Sequence, residues 1–121
     1  MVMIKDLHNR TFKFAVDVVR LIKSVPSTKE NDVIRYQLAK SGTSIGANYE
    51  EAQAAFSKDD FTYKMSICLR EARESNYWLR LIKETEIVNK FPLDLLIQES
   101  HEIKNIFGSI VAKKRLSSNW E

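Results

Sequence analysis

The stretch Ser41-Gly42-Thr43-Ser44-Ile45-Gly46-Ala47-Asn48-Tyr49-Glu50-Glu51-Ala52 decides how this chain folds. Gly42 and Gly46, two of the three glycines, stand four residues apart inside what otherwise reads as one long helix. Each interior glycine costs a helix about 1 kcal/mol relative to alanine. Such a pair needs a reason, and backbone packed closely against a neighbouring helix supplies one. The competing reading is a loop over residues 41–46 that splits the segment in two.

Working outward, capping signals and hydrophobic period give four helices. Helix 1 is expected from about Asn9 to Ser24, with Pro26 closing it. Ser27 followed by Glu30 reads as a capping box that starts helix 2. Helix 2 carries Ile34, Leu38, Ser41, Ile45, Asn48, Ala52 and Ala55 at alternating spacings of four and three, like a coiled-coil seam. Phe56-Ser57 makes a short break, and Ser57 with Asp60 repeats the capping arrangement. Helix 3 carries Phe61, Met65, Cys68, Ala72, Ser75, Leu79 and Ile82. Asn89 to Pro92 separates it from helix 4, whose buried side is expected at Leu93, Leu96, Ser100, Ile103, Phe107 and Ile110, with Val111 beside them. Short connections make neighbours antiparallel, so the expected fold is all-α, an up-down-up-down four-helix bundle in one domain over residues 1–121.

Composition narrows the function classes. The chain has 121 residues, enough for one continuous core, and a net charge of +3. That balance permits an anionic partner but is far from a dedicated basic arm. Cys68 is the single cysteine, so an intramolecular disulfide is excluded and a reducing compartment fits. Neither a signal-peptide core nor an apolar run of bilayer length is found, and the expected location is the cytoplasm.

Two helices carry more apolar surface than one stripe of a small bundle requires. Helix 1 places Phe12, Phe14, Ala15, Val16, Val18, Val19, Leu21 and Ile22 over most of its circumference. Helix 3 adds Tyr63, Ile67, Tyr77, Trp78 and Leu81 away from its seam. Large apolar patches on soluble proteins mark contact surfaces. These faces are therefore read as an oligomer interface built from Phe14, Val18, Leu21, Ile67, Trp78 and Leu81, with Trp78 as an anchor. The alternative is that a twisted bundle wraps them into a broad core.

The run Leu38 to Ala55, LAKSGTSIGANYEEAQAA, resembles the signature of the 23S rRNA intervening-sequence protein family. Asp60-Phe61 and the segment from Leu69 to Leu79 resemble its second block. Lys40 stands where many relatives have Arg, which keeps the charge and loses the planar fork. The resemblance implies a second helix running unbroken through both glycines and a ring-shaped homopentamer. It also brings in a distant relative, the accessory protein of diversity-generating retroelements, a basic pentameric barrel that partners a reverse transcriptase and nucleic acid. It implies little about what ordinary family members do.

No constellation for catalysis emerges. Asn48, Glu51, Glu71 and Glu74 invite a metal reading, but His8 and His101 both lack the Glu three residues earlier that di-iron bundles use. Neither a Cys–His zinc grouping nor a phosphate loop is present. Cys68 lies on the helix 3 seam as a small core residue, and Ser41, Thr43 and Ser44 lack a base. Lys40, Asn48, Glu51, Glu71 and Glu74 are read instead as a structural polar network, Asn48 fixing register and the glutamates pairing with Lys40, Arg70 or Arg73. No metal, cofactor or small-molecule substrate is expected.

The remaining signal is the distribution of cations. Residues 1–48 hold eight basic and four acidic side chains. Arg10, Lys13 and Arg20 share the polar strip of helix 1 with Lys23 beside it, and Lys113-Lys114-Arg115 end helix 4. Cations at a helix C-terminus also favour the helix dipole without any ligand. Repetition in an oligomer would gather modest patches into one field. The expectation is a non-catalytic homo-oligomer, a pentamer by resemblance, that associates with structured RNA through these residues; the alternative is a protein–protein adaptor.

Overall fold

The computed structural model describes residues 4–88 and 91–120, with side chains placed for residues 6–88 and 92–114. Four helices make up the bundle: α1 (Ile4–Lys23), α2 (Lys29–Gln53), α3 (Lys58–Glu84) and α4 (Phe91–Trp120). α1 packs on α2, α2 on α3 and α3 on α4, while α4 returns to α1 with the sparsest contact of the four. Tight connections of a few residues turn each helix back along its predecessor, giving the antiparallel up-down arrangement.

Helix starts follow local chemistry. At α2 the cap is Thr28 rather than Ser27: Thr28 Oγ1 accepts from the Asn31 N–H at 3.1 Å, while Ser27 Oγ donates to Asp32 Oδ1 at 3.0 Å. At α3, Ser57 Oγ accepts from the Asp60 N–H at 3.0 Å, and Asp60 reaches back to the Phe56 N–H at 3.3 Å. This reciprocal cap anchors the break between α2 and α3. The expected break near Asn89 lies outside the described residues.

α2 runs unbroken through Gly42 and Gly46, and neither glycine has positive φ. The loop reading of residues 41–46 is thereby excluded. A Cβ on Gly42 would sit 2.8 Å from Val18 Cγ1, and one on Gly46 would sit 3.2 Å from Thr11 Oγ1. Both glycines face α1, and real Cβ contacts are longer than the first of these distances. The glycines thus let the α1 side chains reach the α2 backbone, which is the reason their helix-propensity cost is tolerated.

The core is a continuous column fed by one seam from each helix. α1 contributes Leu7, Thr11, Phe14, Val18 and Leu21, with Val25 from the turn that follows it; α2 contributes Leu38, Ser41, Ile45, Tyr49 and Ala52. α3 adds Met65, Cys68, Ala72, Ser75, Leu79 and Ile82, and α4 adds Leu93, Leu96, Ser100, Ile103, Phe107 and Val111. Small residues meet at the α2–α3 contact, where the hydroxyls of Ser75 and Ser41 lie 3.1 Å apart and Cys68 donates to the Ile45 carbonyl at 3.5 Å.

Two expectations are corrected here. Phe14, Val18 and Leu21 are buried inside the protomer, so they are core residues and not an oligomer interface. Their spacing continues back through Thr11 and Leu7, because α1 starts at Ile4, earlier than Asn9. On α2 the seam passes through Tyr49 rather than Asn48. The Tyr49 ring sits edge-on between His8, 4.7 Å away, and Phe107, 5.7 Å away. Asn48 is half-buried and donates to the Ser44 carbonyl of its own helix at 2.8 Å. It therefore has a local bond and not the interhelical one a register-fixing Asn requires.

Candidate nucleic-acid interface and assembly faces

The cations expected to form one basic strip are divided by the fold. Arg10 is tied to α4: its Nε donates to Glu99 Oε2 at 3.0 Å, and Nη2 donates to Glu99 Oε1 at 2.6 Å and Glu102 Oε1 at 3.1 Å. The Glu99 hydrogen bond, the largest influence, raises the guanidinium pKa further. Such a bidentate clasp is a geometry Arg serves better than Lys. Lys13 pairs with Asp17 at 2.6 Å one turn along α1. Arg10 is thus held by two carboxylates of α4, whereas Lys13, its side chain 77% exposed, makes only a surface pair along its own helix.

Arg20 and Lys23 stay exposed, and neither forms an ion pair among the described residues. They flank a shallow depression of about 330 Å³ with Ala15, Val16, Val19 and Thr43. Lys113 and Lys114 are likewise exposed, and Lys114 Nζ lies 5.3 Å from the centre of the Phe61 ring. The Arg115 side chain lies outside the described residues. Because Arg10 faces Glu99 and Glu102 across antiparallel helices, Lys23 sits at the end where α4 begins, and Lys113 sits at the opposite end. The exposed cations of one protomer are therefore divided between opposite ends of the bundle.

The polar network is brought together only in part. Glu71 is 6% exposed, and Arg70 Nε is 3.9 Å from its Oε1. Burial pushes the Glu71 carboxyl above the usual range, and the neighbouring Glu74 carboxyl adds to this by charge and hydrogen bonding. Arg70 and Lys40 pull in the other direction. Lys40, Glu71 and Glu74 thus share one electrostatic environment at the α2–α3 boundary. Glu51 is exposed and forms no ion pair among the described residues, and Asn48 bonds locally.

The assembly faces also divide. Ile67, Trp78 and Leu81 are half-buried, with Trp78 packed against the core and edge-on to Tyr77 at 5.0 Å. The Trp78 indole Nε1 is buried without a hydrogen-bond partner among the described residues. The exposed apolar residues are others: Phe12 and Val19 on α1, Val33 and Tyr36 on α2, Tyr63 and Tyr77 on α3, Leu95 on α4, and Phe56 in the α2–α3 turn. Tyr36 and Leu95 lie on faces that the hydrophobic period does not mark, so only the surface as a whole reveals them. Between α1 and α4 runs a groove of about 740 Å³ lined by Phe14, Leu21, Leu95 and Leu96 and rimmed by Arg20, Glu99 and other charged groups.

Among the described residues, no group of three or more His, Cys, Asp or Glu side chains could hold a metal ion. No helix among them is long and apolar enough to cross a membrane. Cys68 is buried, and its thiol is pushed up to about 12, chiefly by burial. It is thus held as an unreactive thiol.

Fold and surface together define an antiparallel four-helix bundle, notched by glycines at the α1–α2 contact and carrying exposed aromatic side chains. The family model for 23S rRNA-intervening sequence protein matches residues 5–109, and the chain belongs to that family. A crystal structure from Bacteroides thetaiotaomicron VPI-5482, described as a protein with unknown function from the S23 ribosomal protein family, superposes with a TM-score of 0.79. It shares 37% sequence identity over 87% of this chain and 97% of that one. No curated protein is similar enough to match.

Proposed function

We propose that the protein is a non-catalytic, cytoplasmic homo-oligomer, a pentamer by its family resemblance, that associates with structured RNA through the exposed cations at its two ends. The observation that carries this reading is that Arg20, Lys23, Lys113 and Lys114 are all exposed and none is engaged by a carboxylate among the described residues. The exposed aromatic residues on several faces supply the surface for assembly. Assembly multiplies the charge, and five protomers at +3 each would carry about +15 on one particle.

Recognition of this kind is directed at phosphates and at the shape of the RNA. Lysine and arginine ends displace counterions from the backbone, so affinity falls steeply as salt rises. The test is an electrophoretic shift with a structured RNA hairpin across a salt series. Binding at low salt that is lost on moving to physiological salt and beyond is the expected result. The combined variant R20A/K23A/K113A/K114A should abolish the shift while the oligomer persists, and retained affinity would exclude these residues. Absence of any shift at low salt would favour the protein–protein adaptor.

A further inference from the structure

The turn between α2 and α3 holds a phenylalanine out in solvent. Phe56 is 100% exposed, more than any other large hydrophobic residue among those described. Its backbone is nonetheless tied down. The Phe56 N–H donates to Asp60 Oδ2 at 3.3 Å, and the neighbouring Ser57 caps α3 by accepting from the Asp60 N–H at 3.0 Å. An exposed ring on a fixed turn adds nothing to the protomer core, yet it meets a partner at little ordering cost.

Phe56 lines a depression of about 340 Å³ together with Gln53, Ala55, Lys58, Phe61 and Lys114. Lys114 Nζ lies 5.3 Å from the centre of the Phe61 ring, so its ammonium is held at the site by an aromatic face. Lys58, Lys114 and Gln53 are all exposed. Among the described residues, the lining therefore has two cations, an amide that both donates and accepts, and no carboxylate. Asp60 is engaged by the cap, and neither it nor Asp59 lines the depression.

Few ligands match aromatic carbon and positive charge at once. An apolar protein patch would satisfy Phe56 and strand the lysines. A paired RNA stem offers phosphates but keeps its base faces stacked inside the helix. An unpaired nucleotide carries both a flat π face and a phosphate. We propose that this depression binds an unpaired nucleobase of single-stranded RNA. The base stacks on Phe56, Lys58 and Lys114 face its phosphates, and Gln53 meets the base edge. The volume stands at the small end of ligand sites, about 300–1,000 Å³, and fits one base. The site rests on the RNA reading above and adds to it the part of the RNA that is recognised, a loop or bulge in place of the helical stem.

Fluorescence anisotropy at low salt tests this with a short labelled oligouridine and an RNA duplex of the same length. Wild type should bind the oligouridine more tightly. Phe56→Ala should weaken oligouridine binding about tenfold, as loss of one base–aromatic stack does, at an unchanged salt slope. The ring is fully exposed, so its removal leaves the fold intact. K58A/K114A should instead flatten the salt slope, the mark of lost phosphate contacts. Phe56→Trp should keep the affinity, and oligouridine should quench the added indole while a polyphosphate chain does not. Oligouridine affinity that is unchanged in F56A, with duplex binding retained, overturns the base site and leaves the phosphate reading standing. A wild type that binds neither RNA overturns both. A sedimentation coefficient that changes in F56A without RNA makes Phe56 an assembly contact and likewise overturns the base site.

Discussion

At Gly42, one missing methyl group sets how near α1 can come to α2. Val18 is fully buried and β-branched, so its χ1 is stiff and its methyls have little room to yield. Gly42→Ala should therefore lower stability by about 1–2 kcal/mol, because the overpacking penalty outweighs the helix propensity gained. Val18→Ala alone leaves a void, whereas combining the two should cost less than the sum of the single changes. Urea denaturation of the four proteins measures this coupling, and additive losses would refute direct contact.

Glu71 makes a prediction of opposite character at the same scale. Its carboxyl is held above the ordinary value of 4.5, first by burial and then by Glu74. The folded state therefore binds this proton more tightly than the unfolded chain does. The associated stability is present below the ordinary carboxylate range and is lost as pH rises through the elevated value. Glu71→Gln should be at least as stable as wild type at neutral pH, and its advantage should shrink as the solution is acidified toward pH 4.5. Thermal melts of both proteins over that range check it; a constant difference would contradict the assignment.

At the scale of the element, the sequence carries most of the architecture and misassigns one face. The helices, the unbroken course of α2 and the seam of α3 all follow from spacing and capping. On α1 the seam from Leu7 to Leu21 keeps a strict alternation of four and three, but Thr11 stands within it. A polar residue at a core position hides the pattern, and starting the helix at Asn9 removes Leu7 from view. Thr11 fits there because its hydroxyl donates to the Leu7 carbonyl at 2.9 Å and its side chain packs over Gly46. Tyr49 was missed for a related reason, since stepping three residues from Ile45 selects Asn48 where the helix turns by four.

The basic strip on α1 was legible as a row of charges but not as pairs. Arg10 pairs with Glu99 and Glu102 and Lys13 with Asp17, and the first two of these acids belong to a distant part of the chain. No local pattern reports such a contact. Arg10→Ala should open the sparse α1–α4 contact and cost about 1 kcal/mol, the upper part of the range for partly exposed ion pairs. The deficit relative to wild type in urea melts should narrow as sodium chloride is added. A deficit that is independent of salt would indicate lost packing of the arginine stem instead.

The whole molecule joins these features in one scheme. Close packing at the glycines draws α1 onto α2, and aromatic side chains on α1, α2 and α3 remain exposed. Small domains leave much surface uncovered, and the proposed burial between copies would recover part of the hydrophobic stabilisation. In the proposed assembly the exposed cations of several protomers would share one field, which is what phosphate binding needs from a chain of such modest net charge. The RNA reading thus depends on self-association in a way the fold does not.

Light scattering coupled to size exclusion at micromolar concentration measures that dependence most directly. A scattering mass several times the 14.1 kDa of one chain is the predicted result. A single species of 14.1 kDa at every concentration would contradict the account at its centre.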